Sequence, residues 1–151
     1  MFNSKIAGIG HFLPENVVTN KSLESVMETT DEWIQERTGI KERRWVVSGD
    51  GNTTSSMGTK AARKAIKNAN LIPDDIDFIV FATLSPDYYF PGPGVMVQKN
   101  LGIEEIGALD IRNQCSGFIY SLSVADQFIK TGMYKNILVI GSELHSGGLD
   151  K

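Results

Sequence analysis

Four stretches of the chain are unbroken or nearly unbroken in apolar residues, and polar, helix-periodic segments separate them. The run KIAGIGHFLP at 5–14 is short, rich in glycine and closed by Pro14, which predicts a buried strand leading into a turn. IDFIVFAT at 76–83 is continuous, β-branched and aromatic, the pattern of a strand buried on both faces. IGALDI at 106–111 and NILVIGSE at 136–143 read as two further strands.

Between these runs the period changes. A short polar helix is expected around 22–27. In TTDEWIQERTGI, Thr29 and Glu32 have the spacing of a capping box, so a helix is expected from Asp31 to Thr38 with Gly39 as its stop. KERRWVV at 41–47 reads as a short strand or hairpin arm. In TSSMGTKAARKAIKNA, Met57, Ala61, Ala65 and Ala69 recur at four-residue steps with Ile66 beside them, one helical face made mostly of alanine. Such a face lies close to whatever covers it. VMVQKNLG predicts a short helix ending at Gly102. SGFIYSLSVADQFIKTG predicts a helix with Phe118, Leu122, Ala125 and Ile129 on one face, stopped by Gly132. SGDGN at 48–52 and HSGGLDK at 145–151 are the loosest stretches, and SPDYYFPGPG at 85–94 is a rigid loop. Strands alternating with helices imply an α/β layered fold, with a mostly parallel sheet joined by crossover helices.

Composition narrows the function classes. The chain has 151 residues and a formal charge of −3, so no field favours nucleic acid. No apolar run reaches membrane-spanning length, and the first residues lack the basic-then-apolar layout of a secretory leader. A single cysteine forms no internal disulfide, which points to a reducing, cytoplasmic setting. No metal-ligand spacing, Walker-type glycine loop or nucleophile-elbow serine is present.

That cysteine stands in DIRNQCSGF at 110–118, where an expected strand ends and an expected helix begins. The carboxyl end of a parallel strand is where α/β sheets bind ligands. A helix start favours an anion such as a thiolate. Gly117 leaves room for backbone or substrate to approach the sulfur. These features suit a nucleophilic Cys115, although a small buried cysteine at a strand–helix junction fits the same pattern. His11, at the end of the first run, and His145, in a loop, are not placed by sequence to act as its base.

Taken together, GIGHFLPENVVTN, TTDEWIQERTGIKERR, FPGPG, DIRNQCSGFIYSLSVADQFIKTG and ILVIGSE fall in the order and spacing of the β-ketoacyl-acyl-carrier-protein synthase III family, which the chain resembles over essentially its whole length. The resemblance implies a thiolase-like fold in which two similar α/β halves form a layered αβαβα domain, residues 1–151 being the amino-terminal half. It implies that Cys115 accepts an acyl group from acyl-CoA, and that malonyl-acyl carrier protein then loses carbon dioxide and attacks the thioester to give a 3-oxoacyl product. Thr29, Trp33 and Arg37 match residues that hold the nucleotide of CoA. Phe90 matches a residue that crosses a homodimer interface to close the partner's acyl pocket. No cofactor is implied beyond the CoA thioester as substrate. The family's catalytic histidine and asparagine match no position up to Lys151, so residues 1–151 alone are expected to be inactive, with an exposed sheet edge and poor stability. A hydroxymethylglutaryl-CoA synthase-like enzyme, an ester-forming acyltransferase and a non-catalytic acyl-CoA-binding or dimerisation module remain the alternatives. From the residues themselves, Trp33 also suits a core position, Arg37 a helix carboxyl end and Phe90 ordinary loop packing.

Overall fold

The structure, a computed structural model, describes residues 2–113 and 115–148. Gln114 of the cysteine motif and the last three residues of HSGGLDK lie outside them. The chain divides into two units, one comprising the chain up to Phe12 together with Thr53–Glu143, the other Leu13–Asn52 together with the chain from Leu144 on.

In chain order the strands are β1 (Val17–Thr19), β2 (Glu42–Arg44), β3 (Phe78–Ala82), β4 (Gly107–Ile111) and β5 (Ile137–Gly141). The helices are α1 (Asn20–Leu23), α2 (Asp31–Thr38), α3 (Thr54–Asn68), α4 (Pro93–Leu101) and α5 (Gly117–Lys130), with 3₁₀ turns at Pro73–Asp75 and Ser146–Gly148.

The first unit is built on a three-stranded parallel sheet in the order β4-β3-β5. Its register pairs Phe78 with Gly107 and Ile137 at one end, and Ala82 with Ile111 and Gly141 at the other. The middle strand has its hydrophobic side chains covered on both faces, as its unbroken apolar sequence requires. On one face Ile79, Phe81, Leu138 and Ile140 pack with Ala62 and Ile66 of α3 and with Val97 and Leu101 of α4. On the other, Phe78 stacks on Tyr134 at 4.6 Å between ring centroids and meets Phe128 of α5 edge-on at 5.4 Å.

The expected first strand at 5–14 does not form. No described strand pairs with it, and Ile6 and Ile9 are 72% and 71% exposed. An extended segment becomes a strand only with a ladder partner. Here Gly8 and Gly10 lie directly on α3 instead, so close that a Cβ at either would fall inside the carbonyl oxygens of Ala65 and Ala61. The alanine face of α3 is therefore covered by glycine backbone, while Met57, Ala62 and Ile66 are the helix's buried apolar residues.

Helix α5 also differs from expectation. Ala125 is buried as expected, but the other buried residues are Gly117 and Ser121, and Phe118 remains 44% exposed. Small residues let the helix sit close to the sheet, with the Phe118 ring lying against Gly141 of β5 and the larger Ile119 and Tyr120 more than half exposed.

In the second unit β1 pairs antiparallel with β2, as the hairpin-arm reading of 41–47 expects. Val18, Leu23 and Ile34 form its core with Trp45 against it. The short helix expected near 22–27 is shifted to Asn20–Leu23 because the Thr19 side chain caps it, accepting from Ser22 N at 3.2 Å. Helix α2 has the expected bounds and ends at Gly39 in the left-handed region. Its cap is Thr30 and not Thr29: the Thr30 hydroxyl accepts from Trp33 N at 3.1 Å.

Replacing Gly10 with alanine is expected to lower unfolding stability by roughly 1–3 kcal/mol, because the new methyl forces α3 and the amino-terminal segment apart. Urea denaturation of wild type and variant checks this.

Candidate functional site

The carboxyl ends of the three parallel strands gather the candidate groups of the first unit. β4 runs out at Ile111, and Arg112 and Asn113 lead to Cys115, which lies exposed on the turn before α5. A methyl at Gly117 would stand 3.3 Å from Cβ of Ala82, and one at Gly141 3.1 Å from the Phe118 ring. The start of α5 thus rests on the ends of β3 and β5, and Cys115 is delivered to the sheet's carboxyl edge two residues earlier. No side chain caps this helix start. The first amide N–H groups of a helix have no intrahelical partner. The Ser121 hydroxyl, fully buried, donates back to Gly117 O at 2.9 Å and shields the first turn from inside the fold.

The same edge holds a carboxylate network that the sequence patterns do not single out. Glu143, just past β5, accepts from Thr83 Oγ1 at 2.9 Å, Leu84 N at 3.0 Å and Ser85 N at 2.7 Å, and from the Ser85 hydroxyl. Burial pushes its carboxyl up, but these donors together outweigh that and hold it below its ordinary value. Asp87 accepts from Ser55 N at 2.9 Å in the first turn of α3, and Ser142 donates to Thr54 O at 2.8 Å. Asp110, a charge inside an otherwise apolar strand, accepts from Gly94 N at 2.8 Å and so caps α4, whose N-cap Gly92 has no side chain to do it. A carboxylate inside an apolar run is the one sequence signal that marks both Asp110 and Glu143.

Phe90 belongs to the loop that joins β3 to α4. It is 92% exposed, beside Tyr88 and Tyr89 at 60% and 83%. The ordinary loop packing that its sequence also allows is not observed.

Thr29, Trp33 and Arg37 lie in the second unit. Trp33 is 52% exposed and not a core residue, and the Arg37 guanidinium lies 5.1 Å from its ring centroid, one helical turn on. The Thr29 hydroxyl oxygen is buried and has no hydrogen-bond partner among the described residues. Behind this surface, buried Asn20 donates to Asp31 Oδ1 at 2.7 Å and to Ile40 O at 2.6 Å and accepts from Arg43 at 2.7 Å. Hydrogen bonds from Asn20 and Gln35 hold Asp31 below its ordinary pKa. His11 and His145 are both exposed. Among the described residues no helix is long and apolar enough to cross a membrane.

Residues 109–151 match the family model described as 3-oxoacyl-[acyl-carrier-protein (ACP)] synthase III. The chain is 50% identical over 138 residues to the β-ketoacyl-[acyl-carrier-protein] synthase III of Caldanaerobacter subterraneus subsp. tengcongensis, covering 91% of this chain and 41% of that protein. It is 49% identical over 150 residues to the enzyme of the same name from Brucella anthropi, covering 99% and 46%. The crystal structure of 3-oxoacyl-[acyl-carrier-protein] synthase III from Aquifex aeolicus superposes with a TM-score of 0.92 at 49% identity, over 97% of this chain and 46% of that one. The chain therefore spans about half the length of the relatives it matches. Its architecture is the thiolase-like α/β fold of those structures.

Glu143→Gln is expected to lower stability at neutral pH by roughly 1–3 kcal/mol, the worth of hydrogen bonds to a charged acceptor. Because the folded pKa is depressed, the wild-type advantage is fully present above the ordinary value of 4.5 and fades as pH falls through the lower folded value. Unfolding curves of both proteins recorded from neutral pH downwards are expected to converge as the pH falls below the ordinary carboxylate value and through the lower folded one.

Proposed function

Because this chain belongs to the 3-oxoacyl-[acyl-carrier-protein] synthase III family, we propose that residues 1–151 form the amino-terminal, nucleophile-bearing half of a condensing acyltransferase of fatty acid synthesis. The observation that carries the reading is the exposure of Cys115 on an uncapped helix start at the carboxyl edge of a parallel sheet.

In this reading the Cys115 thiolate attacks the carbonyl carbon of an acyl-CoA. The tetrahedral oxyanion is met by helix-start amides, that of Cys115 among them, which are fixed in place before the reaction and so lower its barrier. The CoA thiolate leaves and takes up a proton, and the acyl group remains as a thioester on the sulfur. Malonyl-acyl carrier protein then loses carbon dioxide. The resulting carbanion attacks the thioester carbon, the C–S bond breaks, and Cys115 is released as thiolate with a 3-oxoacyl-acyl carrier protein as product. The histidine and asparagine that the resemblance assigns to decarboxylation match neither His11 nor His145 by motif, so that step is given to no residue of this chain. No cofactor is needed beyond the CoA thioester itself.

Trp33 offers a half-exposed indole face for the adenine of CoA, with Arg37 beside it for ring or phosphate, and the unpartnered Thr29 hydroxyl is a further group for the nucleotide. Phe90 projects fully from its loop, as a residue closing a neighbouring subunit's acyl pocket would. The working form in this reading is a cytoplasmic homodimer that meets acyl carrier protein.

Two outcomes are expected with the full-length gene product. Cys115→Ser abolishes 3-oxoacyl formation to below about one hundredth of wild type, because a hydroxyl gives no anion near neutral pH; substantial residual condensation would give the nucleophile's role to another group. Trp33→Ala raises the KM for acyl-CoA about tenfold at little changed kcat, the signature of lost stacking worth roughly 1–2 kcal/mol. Steady-state kinetics at varied acyl-CoA separates this from a fall in kcat.

A further inference from the structure

Asn20 opens α1, directly after β1, and is 1% exposed. A polar side chain buried this deeply has to find its hydrogen bonds inside the fold. The Asn20 amide nitrogen donates to Asp31 Oδ1 at 2.7 Å and to Ile40 O at 2.6 Å, and the amide oxygen accepts from Arg43 Nη2 at 2.7 Å. Its main-chain N–H donates to Lys41 O at 3.3 Å. Arg43 in turn donates to Val18 O at 3.3 Å, which ties the cluster to the hairpin.

These partners bracket α2. Asp31 is the first residue of the helix, and Ile40 follows its Gly39 stop. One buried amide therefore holds both the start of α2 and the chain that leaves it. The helix needs such a hold. Its eight residues are too few to sustain a helix alone, and Ile34 is the one buried residue among them. Gln35, one turn on from Asp31, donates to both of its carboxylate oxygens at 2.9 and 2.8 Å and carries the tie into the body of the helix. The residues read as nucleotide contacts lie on or beside this helix. Thr29 stands two positions before Asp31, and Trp33 and Arg37 are exposed one turn apart with the guanidinium 5.1 Å from the ring centroid. Asn20 is itself too deeply buried to meet a ligand.

We propose that Asn20 is a positioning residue for the nucleotide of CoA: it fixes α2, and with it Thr29, Trp33 and Arg37, in the arrangement that the nucleotide meets. The proposal rests on the reading of those three residues as the nucleotide site. Asn20 acts through preorganisation, because a platform that is already rigid loses less freedom when the ligand arrives.

The test uses the full-length protein and CoA itself, with calorimetry as the readout because it returns affinity and the fraction of competent protein separately. Asn20→Asp keeps the size of the side chain and the acceptor for Arg43, but it removes both donated hydrogen bonds and sets a carboxylate against Asp31. The Kd for CoA is expected to rise about three- to tenfold at unchanged stoichiometry, the scale of one or two lost hydrogen bonds. Combining Asn20→Asp with Asp31→Asn exchanges donor and acceptor between the two positions and is expected to undo most of that rise. Asp31→Ala cuts the same tie from the half-buried side, is expected to raise the Kd as well, and carries the test if Asn20→Asp does not fold. A Kd that stays within about twofold of wild type in these variants, or a stoichiometry that falls at unchanged Kd, overturns the proposal. Trp33→Ala is the reference. A Kd that rises there but not in the Asn20 and Asp31 variants refutes the positioning role alone, whereas a Kd unchanged in Trp33→Ala refutes the reading of the nucleotide site and the proposal with it.

Discussion

Burial of β3 on both faces is the constraint from which the rest of the first unit follows. A strand reading Phe-Ile-Val-Phe-Ala has no face to give to water, so it takes the middle of the sheet and is covered by α3 and α4 on one side and by α5 on the other. Its register then brings Ala82, Ile111 and Gly141 level at one edge. Small residues at that edge and at the start of α5 let helix and sheet approach closely, and the turn between β4 and α5 has nowhere to go but over the edge. The exposure of Cys115 is a consequence of this packing, and the nucleophilic role proposed for it rests on its place just before the start of α5.

The polar groups at the edge do a different task. Parallel strands end in backbone groups that the ladder no longer satisfies, and here carboxylates meet them. Glu143 gathers the amides and hydroxyls that follow β3, and Asp110 caps α4 in place of a side chain that Gly92 lacks. Asp110 belongs to β4 and Glu143 follows β5, and together they hold the two ends of the segment that connects β3 to α4. That loop, with its exposed aromatic segment, is therefore braced from both sides of the sheet, and its middle is left to Arg112.

The elements with strong periodicity were legible in the sequence: the two-sided strand at 76–83, the helix ending at Gly39 and the helix that follows the cysteine. The unpaired course of residues 5–14 was not legible, because an apolar extended run looks the same with or without a ladder partner, and that partner is a tertiary fact. The cap of α2 moved from Thr29 to Thr30 because adjacent threonines offer the same hydroxyl and only backbone geometry separates them. The displaced Thr29 keeps a buried oxygen without a partner, which the nucleotide reading uses. The inward face of α5 is legible only in part: Ala125 is buried as its spacing predicts, but the other buried positions are Gly117 and Ser121, which close packing on the sheet favours over the larger Phe118 and Leu122. The placement of Cys115 between β4 and α5 was legible in the sequence, but the polar residues around that edge, Glu143, Asp110 and Arg112, show themselves only once the strand ends are brought together.

The central claim is that the sulfur of Cys115 carries the acyl group between the two half-reactions. Brief exposure of the full-length protein to octanoyl-CoA, acid quenching, and trypsin cleavage after Arg112 and Lys130 isolates residues 113–130, the peptide with the one cysteine of this sequence. The account requires the octanoyl mass increment on that peptide, released by neutral hydroxylamine as a thioester is. An increment confined to another peptide, or acyl transfer with residues 113–130 never labelled, would contradict it.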